Sequence, residues 1–379
     1  MEDKEINVKA PGKILWLGGY SAVEKPNIAY STAVNTYASA EIKLRKDNKV
    51  EFHAPQLRLT AQGIVDTGLG TINADIHREL FLLKTASEIG LRYVAALGVK
   101  FSGFSITTRT DKEFAYSSSE EKVVKSGLGS SAAITVAVIG AVLKAFGVDA
   151  RKDDALHKLS QASHGIAEGK VGSGFDISTA VYGSIFYSRY SPDIVKSFPK
   201  EYTNDDLLKL VKREWDYQIE QFALPERFKI VFANFGESMI TTKALSSMSE
   251  FKIKDPRTYN DLIREINGQN LLAVDALRKI KKGTDAMDAF KEAFERGRML
   301  TKKLGMLSGI GIEPDDCTKL IEDSRHSGAF VAKLPGAGGK DSIAALTVGD
   351  EDYNSLRAFW KSKKELSVLG LNAVEQGAI

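Results

Sequence analysis

The amino-acid sequence predicts an α+β fold organised as two domains or one large one, and three observations lead to this prediction. The chain has 379 residues, a length that usually divides into more than one domain. Its first 60 residues alternate apolar and polar side chains as half-buried strands do, whereas helical periodicity dominates the second half. Strands and helices mix without regular βα alternation, which favours an α+β fold over a doubly wound sheet.

The individual elements follow from the same periodicities, taken in order along the chain. Alternation predicts the strands, which are Glu5–Ala10, Ile14–Leu17, Thr36–Arg45, Val50–His53, Leu57–Ala61, Lys100–Thr107, Ile185–Tyr190, Phe228–Asn234, Gly328–Leu334, Ile343–Val348 and Leu369–Val374. Helical spacing predicts the helices, which are Asn73–Ile89, Ser131–Phe146, Lys152–Ala167, Thr241–Met248, Tyr259–Lys281, Ala286–Leu304, Asp315–Ser324 and Tyr353–Lys364. A charged, less patterned stretch, residues 200–226, predicts the boundary between an N-terminal domain (1–200) and a C-terminal domain (201–379).

The composition excludes several classes of function. Hydrophobic residues make up 43% and charged residues 27%, which is typical of a soluble globular protein. The 52 basic and 49 acidic residues argue against a general nucleic-acid surface but allow a local pocket for a small anion. The single Cys317 excludes an internal disulfide and a cysteine-based zinc site, and the five histidines show no metal-ligand spacing. No secretory or membrane-spanning segment is visible, so we expect a cytoplasmic protein without a membrane partner.

The segment KSGLGSSAA covers residues 125–133. After Lys125 the chain has no charged residue from Ser126 to Leu143. This run predicts a largely buried helix, whose first turn has unpaired N–H groups and a positive dipole end that attract anions. Gly127 and Gly129 let a phosphate approach the backbone closely. The segment matches neither a P-loop nor a dinucleotide-binding motif. The residues alone therefore leave two interpretations open, a phosphate-binding loop and an ordinary loop that ends in a helix N-cap.

Two further glycine-rich segments flank this one. The first, residues 9–24, reads KAPGKILWLGGYSAVE, and the last, residues 333–342, reads KLPGAGGKDS. In their order and spacing over essentially the whole chain, the three segments resemble the motifs of the galactokinase, homoserine kinase, mevalonate kinase and phosphomevalonate kinase superfamily, the GHMP kinases. The resemblance implies a two-domain GHMP kinase fold, with a left-handed βαβ crossover in the N-terminal domain, a ferredoxin-like C-terminal domain and an active site between them.

Details of these segments are similar to the phosphomevalonate kinase branch of the superfamily. The GGYS and following glutamate of the first segment resemble that branch, whereas mevalonate kinases usually carry a histidine there. The sequence GKVGSGFD at residues 169–176, followed by YGSIFYSR at residues 182–189, resembles another signature of the branch. Lys340 departs from the pattern, because a tyrosine is frequent at its position, and the chain is shorter than the fungal enzymes.

The resemblance implies an enzyme that uses ATP and Mg²⁺ to phosphorylate (R)-5-phosphomevalonate to the 5-diphosphate, in the mevalonate pathway of isoprenoid biosynthesis. Two alternatives stay open. One is a mevalonate kinase or a 3-phosphomevalonate kinase of the same superfamily, and the other is a non-catalytic metabolite sensor. The implied partner is a small-molecule substrate and not a nucleic acid, and the chain is expected to be a monomer or a homodimer.

The resemblance also implies roles for individual residues. Asp176 is the expected catalytic carboxylate, which accepts the acceptor's proton or orients the acceptor, and Lys9 is its expected partner. The nucleotide phosphates are expected at Lys125, Gly127, Leu128, Gly129, Ser130, Ser131 and Ala132. The acceptor is expected at Lys13, Tyr20, Lys170, Ser173, Arg189, Gly338 and Asp341. Mg²⁺ is expected at Ser130, Ser131 or Glu168.

Purely structural roles remain as alternatives for several of these residues. Ser130 and Ser131 are also suited to capping the helix that follows them. An aspartate beside glycine, such as Asp176, often stabilises a turn. A surface ion pair is the alternative for Arg189, and a solvated strand end is the alternative for Lys9.

Overall fold

The structure, a computed structural model, describes residues 5–117, 123–199, 201–235 and 241–379, with only the backbone at residues 116–117, 123–125 and 241–245. Its strands are β1 (Ile6–Leu17), β2 (Ile28–Leu44), β3 (Lys49–Ala54), β4 (Leu59–Val65), β5 (Ile72–Ala74), β6 (Phe104–Thr110), β7 (Ala115–Ser117), β8 (Val123–Lys125), β9 (Ile185–Ser188), β10 (Gln218–Gln221), β11 (Phe228–Asn234), β12 (Val331–Lys333), β13 (Ser342–Val348), β14 (Ser367–Leu369) and β15 (Ala373–Val374). Its α-helices are α1 (Phe81–Ala96), α2 (Ser130–Ala145), α3 (Ala155–Glu168), α4 (Phe175–Tyr182), α5 (Asp193–Lys196), α6 (Asn204–Lys212), α7 (Thr241–Lys254), α8 (Pro256–Lys281), α9 (Met287–Ser308), α10 (Asp315–His326) and α11 (Gly349–Lys361).

The largest sheet has nine strands and is organised around β2, which is 17 residues long. Its main path runs in the order β10-β9-β2-β6-β3-β4-β5, and β1 and β15 also pair with β2. Most neighbours are antiparallel, but β3 and β6 run parallel. Because α1 lies between β3 and β6 in the chain, this pair is where the predicted βαβ crossover falls. The left hand of that crossover stays a prediction.

A second sheet has four strands in the order β12-β13-β11-β14, and every neighbouring pair is antiparallel. Helices α7 to α10 separate β11 from β12, a loop joins β12 to β13, and α11 separates β13 from β14. If β11, β12, β13 and β14 are numbered 1 to 4, their order across the sheet is 2-3-1-4. Helices connect strand 1 to strand 2 and strand 3 to strand 4. This is the ferredoxin-like arrangement, and it confirms the fold expected for the C-terminal domain.

Helix α2 is the most deeply buried helix of the N-terminal half. It packs against β1 and β2 on one side and against α1 and α3 on the other. A helix can be buried on nearly all sides only when its residues are mostly uncharged, and the run that ends at Leu143 meets this condition. The loop before α2 is fixed to β1, because the backbone N–H of Lys13 donates to the carbonyl of Leu128 at 2.9 Å.

Some predicted elements were wrong in type or extent. The helix expected from Asn73 begins at Phe81, because residues 72–74 pair with β4 as the short strand β5. The stretch 200–226 contains α6, which begins with a capping box between Thr203 and Asp206, and β10. Strand β10 joins the nine-stranded sheet, which therefore extends beyond residue 200, and the boundary placed there stays a prediction.

The polar segment 109–122 is partly ordered into strands. β6 extends to Thr110, and β7 pairs with β8 in a two-stranded antiparallel ribbon. Residues 118–122, at the end of this segment, lie outside the described residues. Across the described ranges, no helix has both the length and the apolar character that a membrane span requires.

Candidate active site

A cavity of about 780 Å³ lies where β1, the starts of α2 and α4, and the loop after β12 meet. Residues on both sides of position 200 line it, because α7 contributes Ser246 and Ser249. Most of the predicted site residues share this cavity, namely Lys13, Tyr20, Gly127, Gly129, Ser130, Ser131, Glu168, Lys170, Ser173, Asp176, Arg189 and Asp341. Lys9, Leu128, Ala132 and Gly338 do not line it, and the side chain of Lys125 lies outside the described residues.

The loop before α2 approaches its neighbours closely through two glycines. Gly127 and Gly129 have φ angles of 67° and 81°, in the left-handed region that favours glycine. A Cβ on Gly127 would lie 2.7 Å from a carboxylate oxygen of Asp341. The side chains of Leu128 and Ala132 are buried in the core, each 1% exposed, so these two residues can reach a ligand only through their backbone N–H groups.

Lys13 is the cation at the centre of the cavity. Its side chain is 8% exposed, and its Nζ donates to the carbonyl of Gly127 at 2.7 Å and lies 5.5 Å from the centre of the Phe175 ring. Burial lowers the pKa of Lys13, and the negative charges of Asp176 and Asp341 oppose that effect. Lys13 therefore lies under the influence of both carboxylates.

The prediction that Lys9 partners Asp176 is corrected by the structure. Lys9 lies on the exposed face of β1, and its backbone pairs with Ile379 through hydrogen bonds of 2.8 and 2.9 Å. The register of β1 against β2 shifts between Pro11 and Gly12, and only beyond that irregularity does β1 pass beneath the cavity. Four residues of strand span about 13 Å, so a lysine at position 9 cannot replace the one at position 13.

Asp176 lies in the first turn of α4, where the positive end of the helix dipole favours a carboxylate. Its Oδ1 accepts a hydrogen bond from the N–H of Ile177 at 3.0 Å, and the side chain is half-buried. The preceding turn is held by buried polar groups. The Gln161 side chain donates to the carbonyl of Gly174 at 2.8 Å, and the hydroxyl of Tyr187 donates to the carbonyl of Ser173 at 3.0 Å.

The loop after β12 closes the cavity on the opposite side. The hydroxyl of Tyr20 donates to the carbonyl of Ala337 at 3.0 Å, and burial raises the pKa of Tyr20 to about 12. Burial also raises the pKa of Asp341 to about 6, although the charge of Lys13 acts in the opposite direction. Gly338 is corrected as a substrate contact: it is buried, and a Cβ there would collide with the backbone carbonyl of Ile312.

Three basic residues of the segment 170–196, namely Lys170, Arg189 and Lys196, line the cavity and define what we call its basic end, and the carboxylates of Glu168 and Asp176 line the same cavity. Arg189 is 4% exposed and donates to the carbonyls of Val23 at 2.6 Å and Gly172 at 2.8 Å. Its guanidinium forms no ion pair with a carboxylate in the described ranges, so the surface ion pair considered for it is wrong. Lys170 and Lys196 are exposed at the same end.

The residues expected at a metal lie around the start of α2 and the end of α3. The imidazole Nε2 of His164 lies 3.1 Å from the hydroxyl of Ser131, and Ser130 lines the cavity beside it. Glu168 is exposed on the cavity wall. Among the described residues no group of three or more histidine, cysteine or acidic side chains is placed to hold a metal ion.

The sequence reasoning missed several lining residues, among them the polar or charged Gln161, His164 and Lys196. The first two share one face of α3 with Gly165 and Glu168, at the i, i+3, i+4, i+7 spacing of a helix stripe. That stripe was available from the predicted helix 152–167 and would have identified both residues. No comparable signal marks Lys196.

Comparisons with known proteins agree with this geometry. Residues 83–184 match the family model of the GHMP kinases N-terminal domain. This segment is thus similar to a GHMP kinases N-terminal domain, and the chain shares its fold with solved phosphomevalonate and mevalonate kinases. Its curated relatives include the peroxisomal phosphomevalonate kinase of Arabidopsis thaliana, 26% identical over 96% of this chain and 94% of the relative. They also include the phosphomevalonate kinase of Saccharolobus solfataricus, 28% identical over 98% of each chain.

The fold is also shared with solved structures. The phosphomevalonate kinase of Streptococcus pneumoniae, in complex with phosphomevalonate and AMPPNP, superposes with a TM-score of 0.77 at 20% sequence identity. The superposition covers 97% of this chain and 100% of that one. The expectation of a GHMP kinase fold, drawn from three short segments, is thereby confirmed.

Proposed function

We propose that this chain is an ATP-dependent phosphomevalonate kinase, which transfers the γ-phosphoryl group of ATP to the phosphate of (R)-5-phosphomevalonate. Relatives with that name, aligned over nearly the whole chain, support the proposal. The products are ADP and the 5-diphosphate, an intermediate of isoprenoid biosynthesis. We place the reaction in the cytoplasm, although one of the relatives is named as peroxisomal.

The single observation that best supports a phosphorylated acceptor is the state of Arg189. A buried guanidinium normally pairs with a carboxylate, since desolvating a charge without an anionic partner is costly. Arg189 contacts backbone carbonyls instead and lines the cavity at its basic end. A phosphate bound there would supply the missing negative charge, with Lys170 and Lys196 as further cations.

The opposite part of the cavity is suited to the reacting groups. The N–H groups at the start of α2 face the cavity at Gly129 to Ser131 and are suited to the phosphates of ATP. An oxygen of the acceptor phosphate attacks the γ-phosphorus as the bond to the bridging oxygen of ADP breaks. Lys13 is placed to stabilise the negative charge that passes between them, the role first expected of Lys9.

Asp176 completes the reacting group. A phosphate monoester has a second pKa near 6, so the acceptor is already largely ionised at neutral pH. Asp176 would therefore mainly orient the acceptor and take its residual proton. The helix N-terminus that carries Asp176 keeps its carboxylate in a favourable electrostatic environment.

The donor set also fits a magnesium ion that arrives with the nucleotide. Mg²⁺ is usually held by one or two carboxylates together with substrate phosphates and water. Glu168 and the hydroxyls of Ser130 and Ser131 line one cavity and offer such a set. The ion would neutralise charge on the nucleotide phosphates.

The experiment that tests the proposal is an acceptor panel with coupled detection of ADP. Mevalonate, 5-phosphomevalonate and 3-phosphomevalonate are compared at equal concentrations. We expect kcat/KM for 5-phosphomevalonate to exceed that for mevalonate by roughly 10²-fold or more, since a site built for a phosphate leaves its cations unpaired without one. Equal rates with mevalonate would identify a mevalonate kinase, and preference for the 3-phosphate would identify the third kinase. Ligand binding without ADP release would identify a sensor.

A further inference from the structure

Asp341 is a half-buried carboxylate whose surroundings leave one of its oxygens without a hydrogen bond. Its Oδ1 is shielded from solvent and has no hydrogen-bond partner in the described part of the chain. The carboxylate also abuts Gly127, the glycine that opens the loop before α2. Buried carboxylate oxygens are nearly always hydrogen-bonded, so an orphan oxygen at a cavity wall is available for a contact with a ligand.

We propose that Asp341 is a proton-holding residue of the nucleotide subsite: it takes up a proton from solvent when nucleotide phosphates bind along Gly127 to Ser131. In its neutral form the carboxyl group of Asp341 offers an Oδ1–H hydrogen-bond donor to the phosphates. The ionised form would instead place a negative charge beside them. The inference rests on the proposed function only in placing the nucleotide phosphates at this loop. It assigns to Asp341 a role different from the acceptor contact expected from the sequence.

The charged groups around Asp341 explain why binding would drive protonation. Lys13 on β1 is the cation that acts on it, and Asp176 on α4 competes for the same ammonium. The neighbouring Lys340 is engaged with Asp316 on α10, with an N–O distance of 2.6 Å. The N–H of Phe235, which precedes α7, donates to the backbone carbonyl of Asp341 at 3.2 Å and not to its carboxylate.

Nucleotide binding changes this balance in two ways that act in the same direction. The phosphates bring negative charges next to the carboxylate, and like charges disfavour its ionised form. They also attract the ammonium of Lys13, which then stabilises the negative charge of Asp341 less strongly. In the free protein the pKa of Asp341 is already raised to about 6, so only a modest further rise is needed to protonate it at neutral pH.

The test is calorimetric titration of the full-length chain with AMPPNP and Mg²⁺ at pH 7, in buffers of different ionisation enthalpy. The dependence of the binding heat on the buffer gives the number of protons taken up. A group with a pKa near 6 is about nine-tenths ionised at pH 7, so we expect a fractional uptake of about 0.4 proton per nucleotide for a rise of the pKa to near 7, and of at most about 0.9 for a larger rise. In Asp341→Asn, an uncharged isostere that keeps a donor, we expect this uptake to disappear while nucleotide affinity is kept or increased.

Asp285→Asn is the matched control, because it removes one exposed carboxylate of the same type outside the cavity. It should show the proton uptake of the wild type. Uptake that persists unchanged in Asp341→Asn would overturn the inference, and so would the absence of uptake in the wild type, a result that needs no variant to fold. Absence of any nucleotide binding by the wild type would contradict the proposed function itself and, with it, this inference.

Discussion

The two ends of the cavity differ in the kind of charge they carry. Around Lys13 the charges are mixed, because the carboxylates of Asp176 and Asp341 influence one ammonium. At the other end Arg189, Lys170 and Lys196 carry positive charge, and Arg189 forms no ion pair with a carboxylate of the described residues. A mixed group can hold and exchange a proton, whereas a cationic group can only hold an anion. The difference teaches that one end is suited to chemistry and the other to recognition.

The type of cation follows the same division. Burial lowers the pKa of Lys13, and the negative charges of Asp176 and Asp341 oppose that effect. Arginine stays protonated in proteins and offers fixed donor geometry to a phosphate. A lysine therefore occupies the position where charge develops, and an arginine occupies the position where charge is permanent. Substitutions at the two ends should accordingly change different kinetic constants.

The largest effect is expected at Asp176. Asp176→Asn keeps the shape of the side chain but removes the group that orients the acceptor and takes its proton. We expect kcat to fall by about 10³-fold with the KM values changed little, since positioned acid–base groups contribute in this range. Steady-state ADP release measures it, with the exposed Asp193→Asn on α5 as control. Near-normal kcat in Asp176→Asn would remove Asp176 from the reacting end.

The next effect distinguishes the two lysines of β1. Lys13→Met removes the ammonium near the transferring group and should lower kcat by about 10²-fold, as expected for loss of a group that stabilises transition-state charge. Lys9→Met changes an exposed residue on the same strand and should leave kcat near that of the wild type. Each purified variant is first checked for folding by thermal unfolding. The turnover rates of the two variants then show which lysine acts on the transferring group. The reverse result would restore Lys9 as the partner of Asp176.

At the other end the expected effect is on the acceptor's KM. Arg189→Lys keeps the charge but loses the planar fork that contacts the carbonyls of Val23 and Gly172 and that we propose binds the acceptor's phosphate. We expect the KM for the acceptor to rise by about 10-fold or more while the KM for ATP stays within about twofold, because charge-assisted hydrogen bonds contribute about 1.5–3 kcal/mol. Initial rates measured with each substrate varied in turn separate the two constants. An equal rise in both would mean that Arg189 only supports the fold.

The smallest effects are expected at the exposed lysines of that end. Lys170→Ala and Lys196→Ala should each raise the acceptor's KM by only about two- to fivefold, because exposed charges are screened by solvent and salt. The effect should shrink further as the ionic strength rises. Lys364→Ala, an exposed lysine outside the cavity, serves as the control in the same assay. A loss at Lys196 that exceeded the loss at Arg189 would reverse the ranking of buried and exposed cations.

Much of the fold was predictable because the signals are local. The apolar run of α2 and the strand 228–234 appeared almost as predicted. The short strand β5 and the sheet contribution of β10 were missed, since three or four residues of strand are defined by their neighbours and not by their own pattern. The ferredoxin-like order came from resemblance, and periodicity alone would not have supplied it.

The site residues were predictable where they lie together in a short motif. The prediction was wrong where the register of a strand decides which residue lines the cavity. Gly127, Gly129 and Asp176 sit in short glycine-rich segments, and the structure brings them to one cavity. Lys9 was chosen over Lys13 from resemblance alone, and the structure separates the two residues because β1 shifts register at Pro11 and Gly12 and only Lys13 lines the cavity.

The central claim is that the acceptor is phosphorylated on a phosphate that it already carries. Phosphorus NMR of the product formed from ATP and 5-phosphomevalonate tests it most directly. We predict a pair of coupled resonances from a new diphosphate, formed in step with ADP. A product with two uncoupled monoester resonances would place the new group on a hydroxyl and would contradict the assignment of the basic end around Arg189.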